Sequence, residues 1–174
     1  MRIINAEIYT PAGHGACKGH AMAVLRHIAH GEIEIIDGII TYCGPMRDGV
    51  DATGDTLDAK GRAVLPGFVD SHTHMVFGGY RPEEFGWRMR GDSYMSIMNR
   101  GGGIVNTMKA TREATEDELS EKTRRYIDRM SQMGVTTVEG KSGYGLDKDT
   151  EIRQLQVMHR LTSDPSRKVD IATT

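Results

Sequence analysis

The segment LPGFVDSHTH, Leu65 to His74, closes a short apolar run with one aspartate and two histidines. In an extended backbone, side chains at i and i+2 point to the same side, with Cα atoms about 6.6 Å apart. The imidazoles of His72 and His74 can then converge on one ion, with metal–nitrogen bonds of about 2.0–2.1 Å for zinc. A bare H-x-H pair also arises by coincidence, so the spacing alone leaves both readings open. Asp70 falls on the same side of the strand. It can orient an imidazole from behind, or it can be a strand-end aspartate bonded to backbone amides.

Such histidines need a scaffold that holds their strand end open to a ligand. AVLPGFVD is a short apolar run flanked by turn residues, as expected of a strand buried on both faces. Arg81 to Arg100 is polar and locally helical, interrupted by Gly101-Gly102-Gly103. Thr115 and Glu118 have capping-box spacing. The helix they open carries Leu119, Thr123, Tyr126, Ile127, Met130 and Met133 on one stripe, with Gly134 as its stop. VTTVE reads as the next strand and KSGYGLD as a loop. A second helix carries Ile152, Leu155, Met158 and Leu161, Asp164-Pro165 ends it, and VDIATT opens a third strand.

This order predicts β-α-β-α-β with a parallel sheet and right-handed crossovers. His72 and His74 then follow the first strand and KSGYGL the second, at the carboxyl ends where such folds bind ligands. The triple glycine lies in no phosphate-loop pattern, so its expected role is close approach of backbone to a pocket.

Residues 1–63 read as β-rich, with IINAEIYT as a strand and Asp37-Gly38 as a tight hairpin turn. His14, His20, His27 and His30 share no face at strand or helix period and read as surface histidines. A complete (β/α)8 barrel takes about 250 residues, far more than residues 64–174 supply. The chain also stops within a strand pattern, so we expect an amino-terminal portion of a longer protein. Its 174 residues carry a net charge of −2 with no basic cluster, which argues against nucleic acid or an anionic membrane as partner. Cys17 and Cys43 have neither metal nor redox spacing, which suits a reducing compartment. With no apolar segment of spanning length and no signal-peptide core at the start, a cytoplasmic location is expected.

PGFVDSHTH resembles the first-strand signature of the amidohydrolase superfamily, metal-dependent hydrolases on a (β/α)8 barrel. HTHMVFGGYR, RMRGDSYMSIMNRGGGIVNTMKATR and VTTVEGKSGYGLD together resemble, within it, the imidazolonepropionase family. The resemblance runs from about Ile3 to Thr174. It implies an α/β fold in which 64–174 form the first units of a partial TIM-type barrel. Residues 1–63 would form part of a small composite β-sandwich.

It further implies His72 and His74 as metal ligands for one zinc or iron ion, and Arg81 and Tyr144 as substrate-binding residues. The remaining ligands and the catalytic residues are expected beyond Thr174, which would leave these residues inactive alone. The reaction implied opens the ring of 4-imidazolone-5-propanoate to N-formimidoyl-L-glutamate, in a homodimeric enzyme. The chemistry agrees, since a guanidinium fork suits a propionate carboxylate and a phenol can donate a hydrogen bond while packing on a flat heterocycle. Without the resemblance, Arg81 reads as a solvated arginine and Tyr144 as a loop tyrosine against Leu146. Lys141 reads as a site-lining or structural lysine. Gly140 departs from the family pattern, where a larger apolar residue is expected. Another cyclic amidase or deaminase of the superfamily, or a non-catalytic association partner, are the competing readings.

Overall fold

Ile, Val and Thr crowd the opening of the chain, and they form strands there. The computed structural model describes residues 1–13, 15–49, 54–166 and 169–174. It divides into two units, Met1–Pro66 and Gly67–Thr174. In the first, β1 (Arg2–Pro11) pairs antiparallel with β2 (Leu25–Ile36), and β2 with β3 (Ile39–Pro45). Asp37 and Gly38 join the last two with φ of 49° and 78°, the left-handed pair that a tight hairpin requires. β4 (Thr56–Asp58) and β5 (Ala63–Val64) add to β1 in parallel. Ala6, Ile8, Ile28, Ile33 and Ala59 form the buried core, while Ile39, Ile40 and Leu57 stay more than half exposed.

β2 starts inside the histidine-rich stretch, which periodicity did not mark as a strand. His27 stacks on Tyr9 with ring centroids 4.5 Å apart, and its Nε2 lies 2.6 Å from Glu7 Oε2. His20, His27 and His30 are exposed as expected; His14 lies outside the described residues. Glu32 and Arg2 are buried charges of this unit. The Glu32 carboxylate pairs with Arg2 at 2.8 Å and with Arg47 at 2.5 Å. Burial pushes its pKa up, but hydrogen bonds from the two guanidinium groups outweigh that and hold it at about 2.

In the second unit β6 (Phe68–Thr73), β7 (Val135–Gly140) and β8 (Asp170–Thr173) run parallel in that order. Helices α1 (Pro82–Met89), α2 (Tyr94–Asn99), α3 (Ile104–Glu113) and α4 (Glu116–Gln132) connect β6 to β7, and α5 (Lys148–Thr162) connects β7 to β8. This α/β order matches the expected alternation. The run AVLPGFVD, however, is not one buried strand. Ala63 and Val64 belong to the first unit's sheet, Pro66-Gly67 interrupts, and Phe68 and Val69 are 54% and 66% exposed. β6 is an edge strand with β7 as its partner, and the chain reaches the core only beyond it, at Met75 and Val76.

Thr115 caps α4 by accepting from the Glu118 amide at 3.2 Å, and the Glu118 carboxylate accepts from the Thr115 amide at 2.8 Å. Leu119, Thr123 and Ile127 face inward. Met133 is 67% exposed because the helix has ended there, with Gly134 beyond it at φ 85°. On α5 Met158 and Leu161 are buried and Leu155 half-buried, as expected, but Ile152 is 41% exposed and fully buried Gln154 takes a core position. Its Nε2 donates to the Val76 carbonyl at 2.6 Å.

At Gly140 the expected larger residue has no room. A Cβ there would lie 2.4 Å from Met158 Sδ and 2.8 Å from Met75 Cε. Both atoms lie at or next to the end of flexible methionine side chains, so G140A should cost little. G140V should cost about 1–3 kcal/mol by overpacking, and M158A should recover part of that in the double variant. Urea unfolding of the three variants checks this. For Glu32, the depressed folded pKa means its stabilisation is present above about pH 4.5 and is lost as pH falls toward about 2. E32Q should cost on the order of 3 kcal/mol at neutral pH by leaving buried Arg2 without its carboxylate, and should flatten the acid limb of a stability–pH curve.

Candidate metal and substrate site

β6 delivers His72 near its end and His74 just past it, with an irregular register to β7 between Asp70 and Thr73. The two rings meet edge to face with centroids 5.3 Å apart. His74 Nδ1 is buried and has no hydrogen-bond partner among the described residues. An orphaned imidazole nitrogen beside a second imidazole fits a metal-ligand role, since a buried polar atom left unpaired is otherwise costly. Among the described residues no group of three or more His, Cys, Asp or Glu is placed to hold an ion. Two imidazoles are half of a four-coordinate set. Asp70 Oδ1 accepts from the His72 amide at 3.3 Å, the backbone-bonded reading of that residue.

The loop after β7 closes over this point. Gly143 adopts φ 144°, and a Cβ on it would lie 2.8 Å from the His74 ring, so glycine lets the loop backbone rest on the imidazole. Tyr144 follows, its ring centroid 5.0 Å from that of His74. Glu151 of α5 fixes the loop by accepting from the Gly145 and Leu146 amides, each at 2.8 Å. Asp147 caps α5; the Thr150 amide and the Arg112 guanidinium hold its carboxyl below the usual range. Lys141 is 2.9 Å from Glu139 and holds that carboxyl low as well. The Lys141 ammonium also donates to Thr174 Oγ1 at 3.2 Å.

Arg81 precedes α1, whose first helical residue is Pro82. Its Nη1 donates to Glu84 Oε2 at 3.0 Å. Glu84 is buried, and its other oxygen accepts from the Gly103 amide at 2.5 Å. A Cβ at Gly102 would lie 2.7 Å from that carboxylate. The triple glycine therefore does bring backbone close, but onto Glu84, which in turn orients Arg81. Sequence reasoning missed Glu84, although its i+3 spacing from Arg81 on a helix was a usable signal.

A cavity of about 580 Å³ is lined by His72, His74, Arg81 and Tyr144 together, with Phe77, Glu84 and Arg88 among the other walls. All four side chains singled out from the sequence thus share one space at the carboxyl ends of β6 and β7. Phe77 was not anticipated; it meets Tyr144 edge to face at 6.0 Å. The arrangement offers paired imidazoles at one side, guanidinium groups at another and aromatic faces between them. That is suited to a small, flat, anionic molecule.

Residues 55–105 match the model of the Amidohydrolase family. The chain is 61% identical to an imidazolonepropionase of Phocaeicola vulgatus and 52% identical to one of Bacteroides fragilis, over 99% of its own length in each case. It spans 42% of either relative, so it corresponds to less than half of those proteins. Among solved structures it is similar to a 5-methylcytosine deaminase from Klebsiella pneumoniae (TM-score 0.63, 19% identity, 99% of this chain and 36% of that one). It also resembles a guanine deaminase from C. acetobutylicum (TM-score 0.57, 13% identity, 99% and 35%). These structural likenesses bear on fold alone. The sequence matches carry more: along 99% of its length the chain is similar to imidazolonepropionases, and residues 55–105 match the Amidohydrolase family.

Proposed function

We propose that the enzyme to which these residues contribute hydrolyses the cyclic amide C–N bond of 4-imidazolone-5-propanoate, giving N-formimidoyl-L-glutamate. The observation that carries this reading is the single cavity shared by His72, His74, Arg81 and Tyr144, in a chain whose relatives bear that name. In this reading residues 64–174 form the first units of a (β/α)8 barrel, and residues 1–63 part of a β-sandwich completed from elsewhere. The enzyme is a cytoplasmic homodimer in this scheme, acting on a small molecule rather than on nucleic acid or membrane. No helix among the described residues is long and apolar enough to cross a membrane.

His72 and His74 would hold a divalent ion, zinc or iron, with ligands from outside these residues. Such an ion, when bound, supplies Lewis-acid polarisation of a carbonyl and acidifies water. Arg81, held by Glu84, would grip the propionate through its guanidinium fork. Tyr144 would donate a hydrogen bond while its ring covers one face of the heterocycle. Phe77, packed on Tyr144, would keep water from that side.

Turnover of 4-imidazolone-5-propanoate by the enzyme at the length of its relatives tests the reading directly, and its absence there would reject it. H72A and H74A should each lose most bound metal by elemental analysis; full stoichiometry in both would remove the ligand assignment. R81A should lower kcat/KM by about 2–5 kcal/mol of binding, as for one partner of a desolvated charge pair. R81K should recover only part, because a point charge replaces a fork.

A further inference from the structure

Lys122 is a lysine on the inward face of α4, only 8% exposed. Its Nζ donates to the Gly79 carbonyl at 2.5 Å. It also lies 3.6 Å from the Phe77 ring centroid, 4.0 Å from that of Tyr80 and 5.9 Å from that of Tyr126. The cage is itself tied together. Tyr126 donates to the Tyr80 hydroxyl at 2.8 Å and stacks on Phe77 with centroids 5.9 Å apart. Among the described residues no carboxylate pairs with this ammonium. Burial, with the nearby charge of Arg125, pushes it down to about 8, so it remains mostly protonated at neutral pH.

A methionine or leucine would fill this volume without the desolvation that a cation suffers. What lysine adds is a charge that demands ring faces and a carbonyl oxygen, and all of them belong to one stretch of chain or to its support. That stretch runs from Phe77 to Arg81. Gly79 is in the left-handed region at φ 66°, in a stretch that is neither strand nor helix. Two residues on is Arg81, and two residues back is Phe77, which meets Tyr144.

We propose that Lys122 is a positioning residue for the substrate cavity: its caged ammonium fixes the segment that places Phe77 and Arg81 on the cavity wall. The proposal rests on the reading of that cavity as the substrate site, and its test includes a readout that needs no substrate.

The test compares K122M, K122Q and K122R in the enzyme at the length of its relatives. Steady-state kinetics and hydrogen-exchange mass spectrometry of peptides covering residues 75–81 are the measurements. K122M should raise KM for 4-imidazolone-5-propanoate about tenfold or more while kcat stays within about threefold, the pattern of lost ground-state binding. Exchange in 75–81 should accelerate while that of α4 does not. K122R, which keeps a cation for the rings, should restore both toward wild type. Wild-type exchange and KM in K122M would overturn the proposal, as would equal acceleration of α4. If K122M does not fold, K122Q decides: it keeps an N–H donor without charge, and wild-type behaviour in it would remove the role of the cation. If wild-type enzyme fails to turn over this substrate, the functional reading falls, and the exchange data still judge the clamp.

Discussion

The chain that leaves β6 sets the terms for everything at the site. Residues 74–81 form neither strand nor helix, yet Met75, Val76 and Gly78 are buried, so their peptide groups need partners that no ladder supplies. Side chains of three helices provide them, with Thr123 of α4 donating to the Met75 carbonyl at 3.4 Å. Gln154 of α5 donates to the Val76 carbonyl, Thr111 of α3 accepts from the Gly78 amide at 3.0 Å, and Lys122 of α4 donates to the Gly79 carbonyl. Buried Gln154, Thr111 and Lys122 are unusual core residues until this requirement is recognised. Their cost in desolvation is offset by satisfying backbone groups whose orphaning would be costlier still.

The same segment explains why glycines gather here. A Cβ at Gly78 would lie 2.1 Å from the Ala110 carbonyl oxygen, a backbone atom that cannot move aside alone. Gly143 lies on His74 in the same manner. Close packing of backbone on backbone and of backbone on ring leaves the cavity walls few alternative positions. Charge is treated likewise: Glu84 is buried but shared between the Arg81 guanidinium and the Gly103 amide, so it anchors one without remaining unpaired.

Fold and chemistry separate cleanly in this protein. Its backbone follows deaminases to which it is 13–19% identical, and a shared scaffold of that kind says little about substrate. In the proposed function the side chains on the cavity wall would carry the distinction: the paired imidazoles would hold the metal, and the Glu84-oriented arginine and the Tyr144–Phe77 pair would receive a flat anionic substrate.

Local signals in the sequence determined what depends on local physics. The Asp37-Gly38 turn, the Thr115–Glu118 capping box, the Gly134 stop and the alternation of strands with helices in the second unit were legible, because turn sterics and helix-end hydrogen bonds involve neighbours in the chain, whereas α3 was not anticipated. The types and spacing of His72 and His74 were legible for the same reason. Tertiary structure alone decided the rest. Ile152 turned outward and Gln154 inward because the Val76 carbonyl, distant in sequence, needed a donor. Gly140 proved to be a fit to Met75 and Met158, which come from a loop and a helix that no periodicity relates. Phe68 and Val69 read as core yet are exposed within these residues, where β6 pairs with β7 alone, since burial depends on what packs against a strand and not on its own hydrophobicity. Neither Glu84 nor Lys122 stood out in the sequence, and only the assembled fold shows what each one holds.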